Sequence, residues 1–403
     1  MTEPLRQRDG TAEVCELDEL ASLTRRLVAI PTVNPPGDTT AACRLVADEL
    51  VAAGFSVSFI EAAPGMQSIV AEYVFPTPGP TLLFNGHLDV VPIGDDADRW
   101  THDPWAGVIE DGKLYGRGAL DMKGPLAAVI TAARAAVADA AGLAGRLLIV
   151  AVADEEQGGE RGTGALVQRG LLAADGAVVV EPSDGGIVLG HRGLCFVEIE
   201  THGRSAHASV PAEGVNAVDL MVDALVAMRT LALVHEPHPS LGAAATVAGT
   251  TIHGGHKSNV IPATCIATVD VRTVPGMTRE GVIAGIERHL AAAGLKPGRD
   301  VTVRVTNWGE PGETDPAERI VQVCADAHAA VFGSAPDLRY MAAFTDGGWL
   351  AHGAGIPTVM AIGPGGLAGC HVIDEHVVLA ELAAYVRVYL EVIRRFLSPA
   401  AER

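Results

Sequence analysis

The stretch Thr81-Leu82-Leu83-Phe84-Asn85-Gly86-His87-Leu88-Asp89-Val90-Val91-Pro92 decides how this chain is read. An apolar run of strand length, 81–84, feeds directly into a His and an Asp two residues apart. Open α/β sheets bind ligands just beyond the carboxyl ends of their strands. A His with an acid nearby can offer one ring nitrogen to a metal while the acid holds the other. Taken alone, the pair reads first as a surface turn. The run itself is too continuously apolar to have a wet face. It predicts a sheet covered on both sides.

Working outward, similar runs occur at 55–60, 68–73, 147–153 and 177–180. Helical spacing separates them at 17–29, 41–53, 122–138 and 163–168, and Gly54 stands where a helix C-cap belongs. Residues 1–14 are polar and are expected to carry no element. The middle of the chain reads differently. Residues 194–201 alternate like a half-buried strand, 216–231 is helical, 244–253 and 263–273 are strand-like, 278–293 is helical and 300–307 alternates again. The order β-α-β-β-α-β is that of a split βαβ, ferredoxin-like unit. After Trp308 come a helix at 317–332, a strand at 358–362 and a helix at 379–397. The expectation is a mixed-sheet α/β fold: one domain of residues 1–193 plus 309–403, interrupted by a ferredoxin-like domain, 194–308.

Composition narrows the function classes. The 403 residues suffice for two domains at roughly 100–200 residues each. There are 29 Lys and Arg against 49 Asp and Glu, a formal charge of −20, which disfavours binding to nucleic acid. Mean hydropathy is +0.27, yet no apolar run reaches the roughly 20 residues of a membrane helix. The opening MTEPLRQRDG has no apolar signal-peptide core, so a cytoplasmic location is expected. Cys15, Cys43, Cys195, Cys265, Cys324 and Cys370 form no CxxC pair and read as reduced thiols. What remains is a large soluble protein of enzymatic type.

Four further stretches carry candidate chemistry. Asp121 precedes an Ala-rich helix; it is either an N-cap or a carboxylate whose two oxygens bridge two metals. Asp154, Glu155 and Glu156 follow the run 147–153. They form either a solvated strand end or a site where a cation offsets their charge, one Glu binding metal and the other moving a proton. Glu181 ends the run 178–180, and His371 follows the Gly-rich loop 363–369. His87, Asp121, Glu156, Glu181 and His371 all fall at element ends of the α/β domain. Two His and three carboxylates fit two divalent ions, one His and one Glu for each, with Asp121 between them. Such N and O donors suit zinc, with cobalt or manganese as alternatives. The loop 363–369 superficially fits GxGxxA. No helix follows it and Pro364 removes an amide N–H, so a dinucleotide site is set aside. Cys370 lacks the His and Asn partners of a thiol nucleophile and reads as inert.

With these residues in view, the chain resembles the di-metal amidohydrolase and exopeptidase family that includes acetylornithine deacetylase, succinyl-diaminopimelate desuccinylase, aminoacylase and carboxypeptidase G. The likeness spans almost the whole chain. It rests on GHLDVVP, DPW and DGKLYGRGALDMKG, followed in order by DEE, VEPSD and HVIDE. It implies that His87 and Glu181 bind one metal and Glu156 and His371 the other, with Asp121 bridging. Asp89 would orient His87, and Glu155 would be the general base toward a metal-bridging water. The inserted domain would be the family's lid, which usually also forms a homodimer. His207, in Gly203-Arg204-Ser205-Ala206-His207, would reach the partner's active site and stabilise the oxyanion. Asn259 and Arg272 would contact the substrate, Arg272 its carboxylate. Gly124-Pro125 departs from the Gly-Gly that many relatives have, a local matter since Pro is tolerated in a first helical turn.

The implied reaction is hydrolysis of an N-acyl-amino acid. A dipeptidase or carboxypeptidase of the same chemistry is the alternative, and a metal-binding but non-catalytic dimer a remote one. Residues 344–348, Phe-Thr-Asp-Gly-Gly, are expected to line the substrate pocket. No nucleic-acid or membrane partner is expected.

Overall fold

The computed structural model describes residues 10–94 and 97–398 and divides the chain into two compact units. The first takes in the described residues up to Leu189, then Thr314–Arg339 and those from Thr345 onward. Its sheet contains β1 (Ser56–Ala63), β2 (Met66–Val74), β3 (Thr77–His87), β4 (Ala144–Val152) and β5 (Gly176–Val179), with Thr358–Val359 at one edge. The strand order is β1-β2-β4-β3-β5 followed by Thr358–Val359. β3 runs parallel to both β4 and β5, and β5 to Thr358–Val359. The β1–β2 and β2–β4 pairs are antiparallel, so the sheet is mixed.

Both faces are covered at the central strands, whereas the edge strand β1, also expected to be covered, is largely exposed, Phe59 included. Leu82, Leu83 and Phe84 are all inaccessible, as are Ile149 to Val152. Successive strand residues point to opposite faces. Leu83, Val150, Val152 and Val179 cluster on one face with Leu166 and Leu350. Phe84 points to the other and meets Tyr389 edge-on, with ring centroids 5.7 Å apart. The helices Lys123–Ala138 and Leu379–Leu397 pack on each other and against β3 on that side.

The structure corrects several expectations. The first helix starts at Gly10, so 10–14 are helical; Val14 extends the apolar spacing backward from Leu17. Residues 1–9 lie outside those described. The strand expected at 358–362 ends at Val359, because Ala361 instead bridges to Val188. Asp121 does not cap a helix: the N-cap position falls on Met122, with no side-chain cap bond. A small sheet of Val108–Glu110, Lys113–Tyr115 and His376–Val378 was not legible, since three-residue strands carry too little pattern. No helix among the described residues is long and apolar enough to cross a membrane.

The second unit is Gly190–Glu313 with Tyr340–Phe344. Its main sheet is β6 (Gly193–His202), β7 (Thr246–Gly254), β8 (Thr264–Thr273) and β9 (Val301–Gly309). The order is β7-β8-β6-β9, antiparallel throughout. The helices Ala217–Met228 and Arg279–Ala292 pack against it. Their starts are set by side-chain caps: Asn216 accepts the Val218 N–H at 3.0 Å and Thr278 accepts that of Gly281 at 3.1 Å. Burial alternates along β6 and β8, the mark of an antiparallel sheet with one wet face. The segment 340–344 does not belong to the first unit, where 309–403 was expected to lie. Met341 accepts the Arg192 N–H and the Phe344 ring stands edge-on to His191 at 5.5 Å.

Candidate metal centre

Strand register assembles the site. β3 lies between β4 and β5, and all three run the same way, so their carboxyl ends finish at one edge. His87 is paired with Val152 and Asn85 with Val179. His87 therefore ends β3 level with the end of β4. Glu155 and Glu156 follow β4 by three and four residues in a single turn, Glu155–Gln157. Glu181 follows β5 by two. Two loops complete the set, bringing in Asp121 and His371.

Asp121 occupies the centre. Its Oδ1 is 3.0 Å from His87 Nε2 and its Oδ2 is 3.2 Å from His371 Nε2. One carboxylate thus serves two imidazoles with different oxygens. His87 Nε2 also lies 3.3 Å from Glu181 and 3.8 Å from Glu155. His371 Nε2 lies 3.1 Å from Glu156 Oε2. Ligand atoms of His87, Asp121 and Glu156 all fall within 4.8 Å of one another, as do those of His87, Glu155 and Glu181.

The charge balance calls for cations. Burial raises Glu155 well above the usual carboxylate range and lifts Glu181 to about 7, with neighbouring acids adding to both. Glu156 is raised by burial too. Burial opposes charge on His87, but Glu181 and Asp121 outweigh it and hold its pKa well above normal. Hydrogen bonds to Asp121 and Glu156 raise His371 to about 10. Four largely buried carboxylates around two imidazoles are an unstable arrangement in a low-dielectric edge. Glu156 Oε1 is buried with no hydrogen-bond partner. An N and O donor set with an orphaned carboxylate oxygen fits divalent ions.

Asp89 meets His87, but through its main chain and not through the carboxylate. Its carboxylate stands 3.8 Å from His87 Nδ1, while its main-chain carbonyl accepts from Nδ1 at 2.8 Å. The carbonyl orients the ring. The carboxylate instead accepts from Asn34 Nδ2 at 2.9 Å and from the backbone N–H groups of Glu155 and Glu156 at 3.2 and 3.3 Å. It positions the two Glu residues. Asp154, first of the three acids, accepts the Arg161 N–H at 2.9 Å and the Asn34 amide at 3.4 Å, and is in neither group of ligand atoms.

Three further polar residues around the centre are buried, and of these only Asp346, within 344–348, was singled out from sequence. Glu375 pairs with Arg117. Lys123, pulled down to about 7 by burial, donates to the Ile30 carbonyl at 2.6 Å. Asp346 accepts from Thr163, which accepts from Asn85, both at 2.8 Å. Of the expected pocket residues 344–348, Thr345 and Asp346 are buried in the first unit. Cys370 is buried and its thiol is pushed up, away from thiolate.

The remaining candidates lie in the second unit. His207 is exposed, with Nδ1 2.7 Å from Ser209 Oγ. Its short strand pairs with Val260, and the Asn259 carbonyl accepts the Ala208 N–H at 3.1 Å, so His207 and Asn259 are neighbours. Arg272 is forked onto Asp270, with Nε at 3.0 Å and Nη2 at 3.1 Å. Two of its donors are thus already engaged, which the DVR motif did not reveal.

A profile of peptidase family M20/M25/M40 matches residues 83–395. Succinyl-diaminopimelate desuccinylase 2 of Ruegeria sp. (strain TM1040) is 34% identical, over 93% of this chain and 94% of the relative. The N-formyl-4-amino-5-aminomethyl-2-methylpyrimidine deformylase of Bacillus subtilis (strain 168) is 28% identical, over 96% of each. Among solved structures, the M20 family metallo-carboxypeptidase Sso-CP2 from Sulfolobus solfataricus matches with a TM-score of 0.78 at 19% identity, over 95% of this chain and 100% of that one. Human carnosine dipeptidase 1 matches at 0.75 and 20% identity, over 96% and 99%. At these identities the structures speak for the shared fold.

Proposed function

The chain belongs to peptidase family M20/M25/M40, and from that premise we propose how it works as a metal-dependent hydrolase of the amide bond in an N-acyl amino acid. The desuccinylase and deformylase relatives support that bond type. The observation that carries the reading is the division of the Asp121 oxygens between His87 and His371. His87 and Glu181 would hold one ion, Glu156 and His371 the other, with Asp121 shared. Zinc is the first choice, cobalt or manganese the alternatives. When bound, two such ions acidify water and polarise the amide carbonyl.

The chain's own residues handle the proton and the substrate. Glu155 takes the proton of the attacking water and passes it to the leaving amine. Its burial, which raises proton affinity, suits the second half of that task. Asp89 holds the main chain of Glu155 and Glu156 and, through its carbonyl, the ring of His87. In the second unit, which we assign as a ferredoxin-like lid, His207 would stabilise the oxyanion. Asn259 would contact the substrate, and Arg272 would offer its remaining donors to the substrate carboxylate. A homodimer through this unit is supported by the exposed edge strand β7 and by half-exposed Val222, Val226 and Ile252. Cys43, Cys195, Cys265, Cys324 and Cys370 are free, in keeping with a cytoplasmic protein.

The test is a panel of N-acyl amino acids and free dipeptides given to metal-stripped protein with zinc, cobalt or manganese restored. Cleavage of acyl-amino acids only after metal addition is expected. Exclusive cleavage of dipeptides would put the dipeptidase or carboxypeptidase reading first. Bound metal without turnover on any substrate would favour the non-catalytic one.

A further inference from the structure

We infer that Glu375 is a positioning residue for the metal centre: its buried carboxylate fixes the loop carrying Asp121 relative to the segment carrying His371. The inference rests on the metal-dependent reading above.

Glu375 and Arg117 are both removed from water. Glu375 Oε2 accepts from Arg117 Nη1 at 2.5 Å. Its Oε1 accepts two backbone N–H groups, those of Leu120 at 3.0 Å and Asp121 at 3.1 Å. Its own carbonyl accepts the Gly116 N–H at 2.8 Å. A single residue therefore grips both ends of the loop 116–121. The backbone between those ends is held in a shape that requires glycine: Gly118 has φ +83°, and a Cβ there would meet Val90 Cγ1 at 2.6 Å. His371 precedes Glu375 by four residues on the same segment. The bonds from Glu375 thus join the two loops whose side chains meet at Asp121 Oδ2 and His371 Nε2, 3.2 Å apart.

A buried ion pair alone is weak evidence for a role beyond folding, since isosteric apolar pairs often replace one without loss. The Oε1 acceptor is different. It bonds the main chain of the bridging residue itself, and such outer contacts orient metal ligands. Removing that acceptor leaves the Asp121 N–H buried without a partner and frees the loop to tilt.

The test is titration of metal-free protein with Co2+, read by calorimetry and by the visible absorption of bound cobalt, beside thermal melts of the metal-free form. Glu375→Asp keeps the charge and withdraws the acceptor by one methylene. Arg117→Gln with Glu375→Gln removes both charges but leaves an amide oxygen for the two N–H groups. Arg117→Leu with Glu375→Leu removes charge and acceptor together. We expect Co2+ affinity within about threefold of wild type for the Gln pair, and roughly ten- to a hundredfold weaker with an altered spectrum for Glu375→Asp and the Leu pair. Should the Leu pair not fold, Glu375→Asp carries the test. Wild-type affinity and spectrum in Glu375→Asp, whatever its melting temperature, overturn the positioning role. Failure of the wild-type protein to bind Co2+ overturns the metal reading instead.

Discussion

Asp121 illustrates how far a single residue can be read. Before a helix, Asp is among the best caps, and sequence left capping and bridging both open. Its neighbours decide: two imidazoles at 3.0 and 3.2 Å take its two oxygens, and no cap bond forms. Glu155 is the residue whose role is most directly testable. Glu155→Gln should lower kcat by about 10²- to 10⁴-fold while elemental analysis shows unchanged metal content. A variant near the wild-type rate would mean that the base lies elsewhere. A second residue-scale prediction concerns pH. In the metal-free protein Glu181 keeps a proton up to about 7 and His371 up to about 10. An entering ion must displace both, so affinity should strengthen as pH rises, by at least about tenfold between pH 6 and 8. Competition with a chelator across that range measures it, and a flat profile would show that neither proton is displaced. His87, Asp121, Glu156, Glu181 and His371 were legible because acids and imidazoles at the ends of apolar runs have no packing reason to be there. The carbonyl of Asp89 and the carboxylate of Glu375 were not, because both act on backbone groups that only the folded chain brings near.

At the scale of elements, the parallel strands were the most legible. The stretches 82–84 and 147–153 are apolar at every position because those parts of β3 and β4 are buried on both faces. The alternation of β6 and β8 was equally readable, since one face of that sheet stays wet. Boundaries and short pieces were not, as with the three-residue strands and the hairpin Val234–His238 and Gly242–Ala244. Turn geometry hidden in a strand is a further case. Gly145 lies inside β4 with φ +87°, and a Cβ there would come within 1.9 Å of the Pro80 carbonyl oxygen. Gly145→Ala should destabilise the protein by roughly 2 kcal/mol or more, seen as a lower denaturation midpoint. Thr278→Ala, which removes the cap of the helix Arg279–Ala292, should cost about 1 kcal/mol. An unchanged midpoint in either would discount the local geometry as a source of stability.

For the whole molecule, the metal centre and the stability of the chain are linked. The metal-free site confines four largely buried carboxylates, so ions that bind only the folded state stabilise it. At a free ion concentration a hundredfold above Kd, the gain is about 2.7 kcal/mol. A melt that does not respond to chelator and added zinc would contradict the arrangement. The proposed dimer has its own check: Val226→Glu with Ile252→Glu, both half exposed, should convert a dimer to monomers in sedimentation while leaving metal content unchanged. What the sequence by itself determined was the class of chemistry and the elements that bear it. Apolar periodicity dictates strands and helices locally, and a charged residue ending an apolar run advertises itself. What only the tertiary structure decided was adjacency. Parallel register placed the ends of β4, β3 and β5 at one edge, and it assigned Asp89 to the backbone of Glu155 and Glu156. It also closed Arg117 on Glu375 and filled two donors of Arg272 with Asp270. Each of these is set by distances between segments remote in the chain, which local pattern does not encode.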